Sequence, residues 1–204
     1  MKLGLIISVS LGLALSAMSG WAGNIEAGKN KSQSCVACHN EDGNSTVPMW
    51  PKIAGQYPDY FIKQLHAFQQ GETGPRYNAQ MQSIVDKLND QDIADLAAFY
   101  ASQVQTPGKA QAEWVTLGER LYRGGDISKG LTACIACHGP KGLGNELANF
   151  PRVSGQHAEY TLAQLQAFQN GTRHNDPNNI MQMIAQRMTD QEMQAVSDFI
   201  AGLH

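Results

Sequence analysis

The four cysteines of this chain form two pairs with C-x-x-C spacing, each followed at once by histidine. They read Cys35-Val36-Ala37-Cys38-His39 and Cys134-Ile135-Ala136-Cys137-His138. Four chemistries compete for such a pair. A disulfide across two intervening residues closes a small loop and constrains the unfolded chain little. A thioredoxin-like redox pair follows a strand in a βαβ unit, and nothing here alternates with a strand period over any useful length. Zinc needs four ligands gathered at one site, so pairs 99 residues apart would have to meet across a domain boundary. None of these three requires the trailing histidine. Covalent haem does: the thiols add to the two vinyl groups, and the adjacent histidine is carried under the iron as an axial ligand. The pattern predicts two covalently bound haem c groups, tethered by Cys35, Cys38, Cys134 and Cys137, with His39 and His138 on the irons.

The second axial position decides between a carrier and a catalyst, because a methionine thioether closes the iron and raises its potential, whereas an open position invites oxygen or peroxide. Met81 and Met181 are the candidates, standing 42 and 43 residues after their histidines. Met49, Met183, Met188 and Met193 have no methionine at the corresponding position of the other half. Met183 is the runner-up in the second half, and a plain core-filling role for Met81 and Met181 is the alternative. Pro51 and Pro151 could offer carbonyls to the histidine Nδ1 protons, or simply stiffen their loops. Tyr60 and Tyr160, Gln64 and Gln164, and Arg76 or Arg173 are candidates for the haem propionates. His66, His157, His174 and His204 lack repeat partners and read as surface residues.

The elements that position these residues occur twice. "WPKIAGQYPDYFIKQLHAFQQG" from Trp50 returns as "FPRVSGQHAEYTLAQLQAFQNG" from Phe150, an offset of 100. The cysteine motifs sit at an offset of 99, so the second copy has one extra residue between its histidine and its aromatic-Pro. Apolar residues at helical spacing predict helices over 60–69 and 90–100, the second capped by Asn89 or Asp90, with counterparts through Leu162, Leu165 and Phe168 and through Met193, Val196 and Ile200 after Thr189. The expectation is all-α: a tandem duplication, three or four short helices per domain, each domain wrapped around one covalent haem. The second copy also carries an insertion, "RGGDISKGLT".

Met1-Lys2, an uncharged apolar run from Leu3 to Ala17, and small residues at Gly20 and Ala22 read as a secretory signal peptide over residues 1–22. Residues 23–104 then form the N-terminal domain, 105–111 a Pro-Gly linker, and 112–204 the C-terminal domain. The mature chain has 14 basic and 18 acidic side chains and no basic run, which argues against a nucleic-acid partner. At 42% hydrophobic residues, two small domains have thin cores, and a buried macrocycle would supply the missing apolar surface.

These residues together resemble the dihaem cytochrome c4 family: the signal peptide, "CVACH" and "CIACH", the two "PxxxGQ…Y…QL…F…G" segments, the "GGD" insertion, and a methionine before each last helix. The resemblance covers essentially the whole mature chain. It implies two class I cytochrome c domains about a pseudo-twofold axis, with haem propionates facing each other across the interface. It also implies a periplasmic electron carrier, soluble or in loose peripheral membrane association and without a transmembrane span, linking the cytochrome bc complex to a terminal cytochrome c oxidase. One departure is that "GETGPRYNAQM" and "GTRHNDPNNIM" differ, the family commonly showing Arg and Asn-Asp-Pro before the methionine. Competing functions are an electron-accepting subunit of a periplasmic dehydrogenase and a dihaem peroxidase. The chain looks short and symmetric for the latter, since both halves offer the same Met and neither has an acid-base pair that the other lacks.

Overall fold

A computed structural model describes residues 23–204; the expected signal peptide, residues 1–22, lies outside the described residues. Five helices build the N-terminal half: α1 (Ile25–Lys31), α2 (Gln33–His39), α3 (Pro58–Gln69), α4 (Ala79–Val85) and α5 (Asp90–Ala101). The C-terminal half repeats them as α6 (Ala112–Gly124), α7 (Ile135–His138), α8 (Ala158–Gln169), α9 (Ile180–Ala185) and α10 (Asp190–Ala201). Among the described residues, extended pairing is limited to isolated bridges. The all-α duplication expected from the sequence is what forms.

Local chemistry sets the helix ends. Asn89 accepts from the Asp92 amide at 2.9 Å while Asp92 accepts from the Asn89 amide at 3.1 Å. Thr189 and Glu192 make the same reciprocal pair at α10, so both last helices begin with a capping box. Asn89, not Asp90, is the cap. Both capping-box acids also meet a lysine from the start of their own half, Lys31 to Asp92 and Lys129 to Glu192. The second of these ties the inserted segment to α10, since Lys129 closes a 3-10 turn over Ile127–Lys129 that is flanked by an Asp126↔Leu131 bridge.

In each half the first helix crosses the last at a glycine. A Cβ on Gly28 would overlap the carbonyl oxygen of Asp95, and one on Gly118 would overlap that of Ala195. The close approach lets two apolar clusters form, one around Phe61, Leu65, Ile93, Leu96 and Tyr100, the other around Leu121, Tyr122, Leu165, Met193 and Val196. Buried aspartates on the last helices anchor the incoming chain: Asp95 accepts from the Asn24 amide at 2.9 Å, and Asp198 from that of Gln111 at 2.7 Å.

The halves are joined by more than a connector. Asn44 accepts from the Thr106 amide at 2.8 Å and donates to the Val104 carbonyl at 3.0 Å, and Lys52 Nζ donates to Thr106 at 2.8 Å, which straps segment 105–111 onto the N-terminal half. Main chains pair directly at an antiparallel Arg76↔Arg173 bridge, beside a His174 amide to Pro75 carbonyl bond of 2.8 Å. His157 corrects its surface reading. Its Nε2 lies 2.8 Å from the Ser45 carbonyl of the other half, and since a carbonyl only accepts, Nε2 is the donor.

Candidate haem site

Helices α2 and α7 carry the cysteine and histidine motifs, and each is ended by the residue next to its histidine. Asn40 (φ 60) and Gly139 (φ 75) turn the chain out of the helix at that point. The chain then loops back so that Pro51 and Pro151 approach the rings. His39 Nδ1 lies 2.9 Å from the Pro51 carbonyl oxygen, and His138 Nδ1 lies 3.0 Å from that of Pro151. Each Nδ1 therefore carries the proton, and each Nε2 keeps a free lone pair. Burial pushes both imidazoles below their ordinary pKa, against the raising effect of the proline carbonyl. Both rings are neutral at neutral pH.

The eight tether and first-choice ligand candidates line a single cavity of about 490 Å³: Cys35, Cys38, His39 and Met81 from one half, Cys134, Cys137, His138 and Met181 from the other. Met183 is outside that lining and 46% exposed, which separates it from Met181. Met49 and Met188 also line the cavity, but Met49 is 63% exposed and Met188 packs into the C-terminal core with Met193. The four cysteines, all among the described residues, are free. Burial holds the Cys35 thiol up, and that of Cys134 up to about 11. A redox-active thiolate needs the opposite shift.

Different residues hold the two methionine segments. Asn78 caps α4 and accepts from the Met81 amide at 2.9 Å. Asp176 accepts from the Met181 amide at 2.7 Å and the Gln182 amide at 3.2 Å. The departure seen in the sequence thus changes the partner and not the bond, Asn78 accepting from the Met81 amide as Asp176 does from that of Met181.

Where the halves meet over the cavity, the candidate propionate residues bind one another crosswise. Arg76 stacks on Phe68 of its own half at 4.5 Å and donates from Nη2 to Tyr160 of the other at 2.6 Å. Arg173 stacks on Phe168 at 4.4 Å and donates to Tyr60 at 2.9 Å. Gln64 accepts from Arg76, from Arg173 at 3.1 Å and from Asn175 at 2.7 Å, while Gln164 accepts from Arg173 at 2.8 Å. Both arginines are buried. Among the described residues neither forms an ion pair with a carboxylate. Burial would raise the Tyr60 phenol, but Arg173 and Arg76 together hold it below its ordinary value. Burial and the neighbouring Arg173 lower Arg76 in turn.

These features fit two covalent haems. The cavity presents thiols in two matched pairs, neutral imidazoles with Nε2 unengaged by the proline carbonyls, the repeat-matched thioethers of Met81 and Met181, and two cations whose bonded partners are neutral. Sequence reading missed three contributors. Asn78 repeats as Asn178 at the offset of 100, but the Met181 amide is held by Asp176 instead, so the repeat pointed to the wrong partner. Gln56 and Gln156 were visible in the repeat as a Gly-Gln pair, but only the structure reveals what they touch.

The family model for cytochrome c matches twice, over residues 25–103 and 116–204. Cytochrome c4 of Thiocapsa roseopersicina is 49% identical over 183 residues, covering 89% of this chain and 93% of that protein. The crystal structure of reduced recombinant cytochrome c4 from Pseudomonas stutzeri superposes with a TM-score of 0.87 at 42% identity, covering 90% of this chain and all of that one. A more distant relative, the thiosulfate dehydrogenase electron acceptor of Thiomonas intermedia, is 37% identical over 92% of this chain and 84% of its own length.

Proposed function

The chain belongs to the dihaem cytochrome c4 family, and from that premise we propose that it carries electrons through the periplasm from a membrane cytochrome bc complex to a terminal cytochrome c oxidase. It is an electron-transfer protein with two covalently bound haem c groups and no catalytic centre of its own. The bound haems supply the one-electron Fe(III)/Fe(II) couples; everything else falls to the chain.

We assign the thioether tethers to Cys35, Cys38, Cys134 and Cys137, and the axial ligands to His39 with Met81 and His138 with Met181. What carries this reading is the single cavity that both motifs and both methionines line. Pro51 and Pro151 orient the imidazoles and raise their basicity through the Nδ1 proton. Asn78 and Asp176 fix the segments from which the methionines reach inward. Arg76 and Arg173 offer buried positive charge for the propionates, which completes their electrostatic balance. Phe61, Leu65, Leu165 and Phe168 keep water away, so the change of charge on electron transfer drives little solvent reorganisation. The signal peptide expected over residues 1–22 supports a periplasmic site, and among the described residues no helix is long and apolar enough to cross a membrane.

Reoxidation of the reduced protein by membranes, abolished by cyanide, tests the oxidase partner. A second reading is supported by the likeness to a thiosulfate dehydrogenase electron acceptor: the donor is then a periplasmic dehydrogenase. Reduction by a soluble periplasmic fraction plus its substrate, with no response to a bc-complex inhibitor, would favour that second reading.

A further inference from the structure

Gln56 and Gln156 grip each other's domains reciprocally. Gln56 Oε1 accepts from the Arg152 amide at 3.1 Å, and its Nε2 donates to the Arg152 carbonyl at 2.9 Å. Gln156 Oε1 accepts from the Lys52 amide at 2.9 Å, and its Nε2 donates to the Lys52 carbonyl at 2.8 Å. Each carboxamide also accepts from the next amide of its own chain, Tyr57 at 3.1 Å and His157 at 3.0 Å, so neither is free to turn. Arg152 and Lys52 come immediately after Pro151 and Pro51, whose carbonyls hold the histidine rings.

The Lys52 N–H and the Pro51 C=O belong to one peptide group. That group is planar and trans, with its N–H and C=O pointing to opposite sides. Fixing the N–H from one side therefore aims the carbonyl on the other. The chain of bonds runs from Gln156 through the 51–52 peptide to His39 Nδ1, and its mirror from Gln56 through the 151–152 peptide to His138 Nδ1. An amide whose N–H is engaged is a stronger acceptor at its oxygen, because linked hydrogen bonds polarise one another.

We propose that Gln56 is a positioning residue for the C-terminal haem and Gln156 for the N-terminal haem, so each domain tunes the iron of the other through its proline carbonyl. This rests on the assignment of His39 and His138 as axial ligands. A well-aimed carbonyl makes imidazole more electron-rich and favours the ferric state. Loss of the glutamine loosens the carbonyl and raises the potential of the haem in the opposite domain.

The test is spectropotentiometry of the holoprotein and of Gln56→Ala and Gln156→Ala, with paramagnetic NMR of the Met81 and Met181 methyl groups assigning each potential to a domain. The expected result is crossed: Gln56→Ala shifts the reduction equilibrium of the C-terminal haem about threefold, roughly 28 mV for one electron, and Gln156→Ala does the same to the N-terminal haem. The hyperfine-shifted Nδ1 proton of the opposite histidine moves with it. Gln56→Met keeps the length of the side chain, adds no charge and loses both bonds to Arg152, so it replaces the alanine variant where that one does not fold, and the same shift in the same haem is expected. Two intact haems whose potentials move equally, move in the mutated domain, or stay fixed would overturn the relay alone. An unmodified protein without two histidine-ligated haems would overturn the assignment beneath it.

Discussion

Arg173 and Tyr60 lie in different domains, yet Arg173 Nη2 donates to the Tyr60 hydroxyl at 2.9 Å while its guanidinium stacks on Phe168 at 4.4 Å. Arg76 and Tyr160 repeat the arrangement in the opposite sense. The domains are thereby crossed, each contributing the cation that the other's phenol needs.

Removing one arm leaves buried polar groups unpartnered. Arg173→Ala strands Tyr60 OH and weakens the hold on Gln64 and Gln164, which costs about 2–4 kcal/mol by the usual penalties for lost charged hydrogen bonds. Denaturant unfolding followed by haem absorption and far-ultraviolet circular dichroism is expected to separate into two transitions. A single transition at the unmodified midpoint would contradict the clamp.

Met81→Ala and Met181→Ala are each expected to lower the potential of one haem and open it to carbon monoxide, with covalent attachment intact. Met183→Ala changes neither property, because that side chain lies outside the cavity. Potentiometry with carbon monoxide difference spectra checks all three.

The methionine segments also mark the limit of sequence reading. Helices α3, α5, α8 and α10, the duplication, the haem motifs and the methionine pair are legible, since each leaves a periodic or repeated trace, whereas the expected three or four helices per domain fall short of the five in each half. The equivalence of Asn78 and Asp176 is not, because it is an equivalence of hydrogen bonds reached from different positions in loops of equal length. The place of His157 is hidden too, because it stands next to the glutamine that crosses the interface, a location the local sequence cannot report.

Acid weakens the C-terminal domain through Glu192. Burial works to raise this carboxyl, but Lys129 and the Thr189 cap outweigh it and hold it below its ordinary value of 4.5. The ionised form is favoured by the fold, so its contribution is fully present above that value and lost as pH falls through the depressed folded one. Glu192→Gln is expected to cost about 1 kcal/mol at pH 7, modest because Lys129 is partly exposed. The gap from the unmodified protein should close in acid. A gap of unchanged size down to pH 3 would contradict this.

Gly28→Ala and Gly118→Ala force the first and last helices of one domain apart, since the added methyl overlaps main-chain oxygen in both cases. Each is expected to destabilise by about 1–3 kcal/mol, seen as a lower thermal midpoint for the altered domain. Gly124→Ala, where a Cβ meets nothing within 4 Å, serves as the neutral control.

The central claim is that one chain holds two closed, neighbouring haems for electron transfer. Potentiometric titration of the intact holoprotein, followed optically, tests it most directly. The account predicts two haems per chain, two one-electron steps, and a thioether-to-ferric-iron band at the red edge whose intensity accounts for both. A single haem, or a native ferrous haem that binds carbon monoxide rapidly, would contradict it.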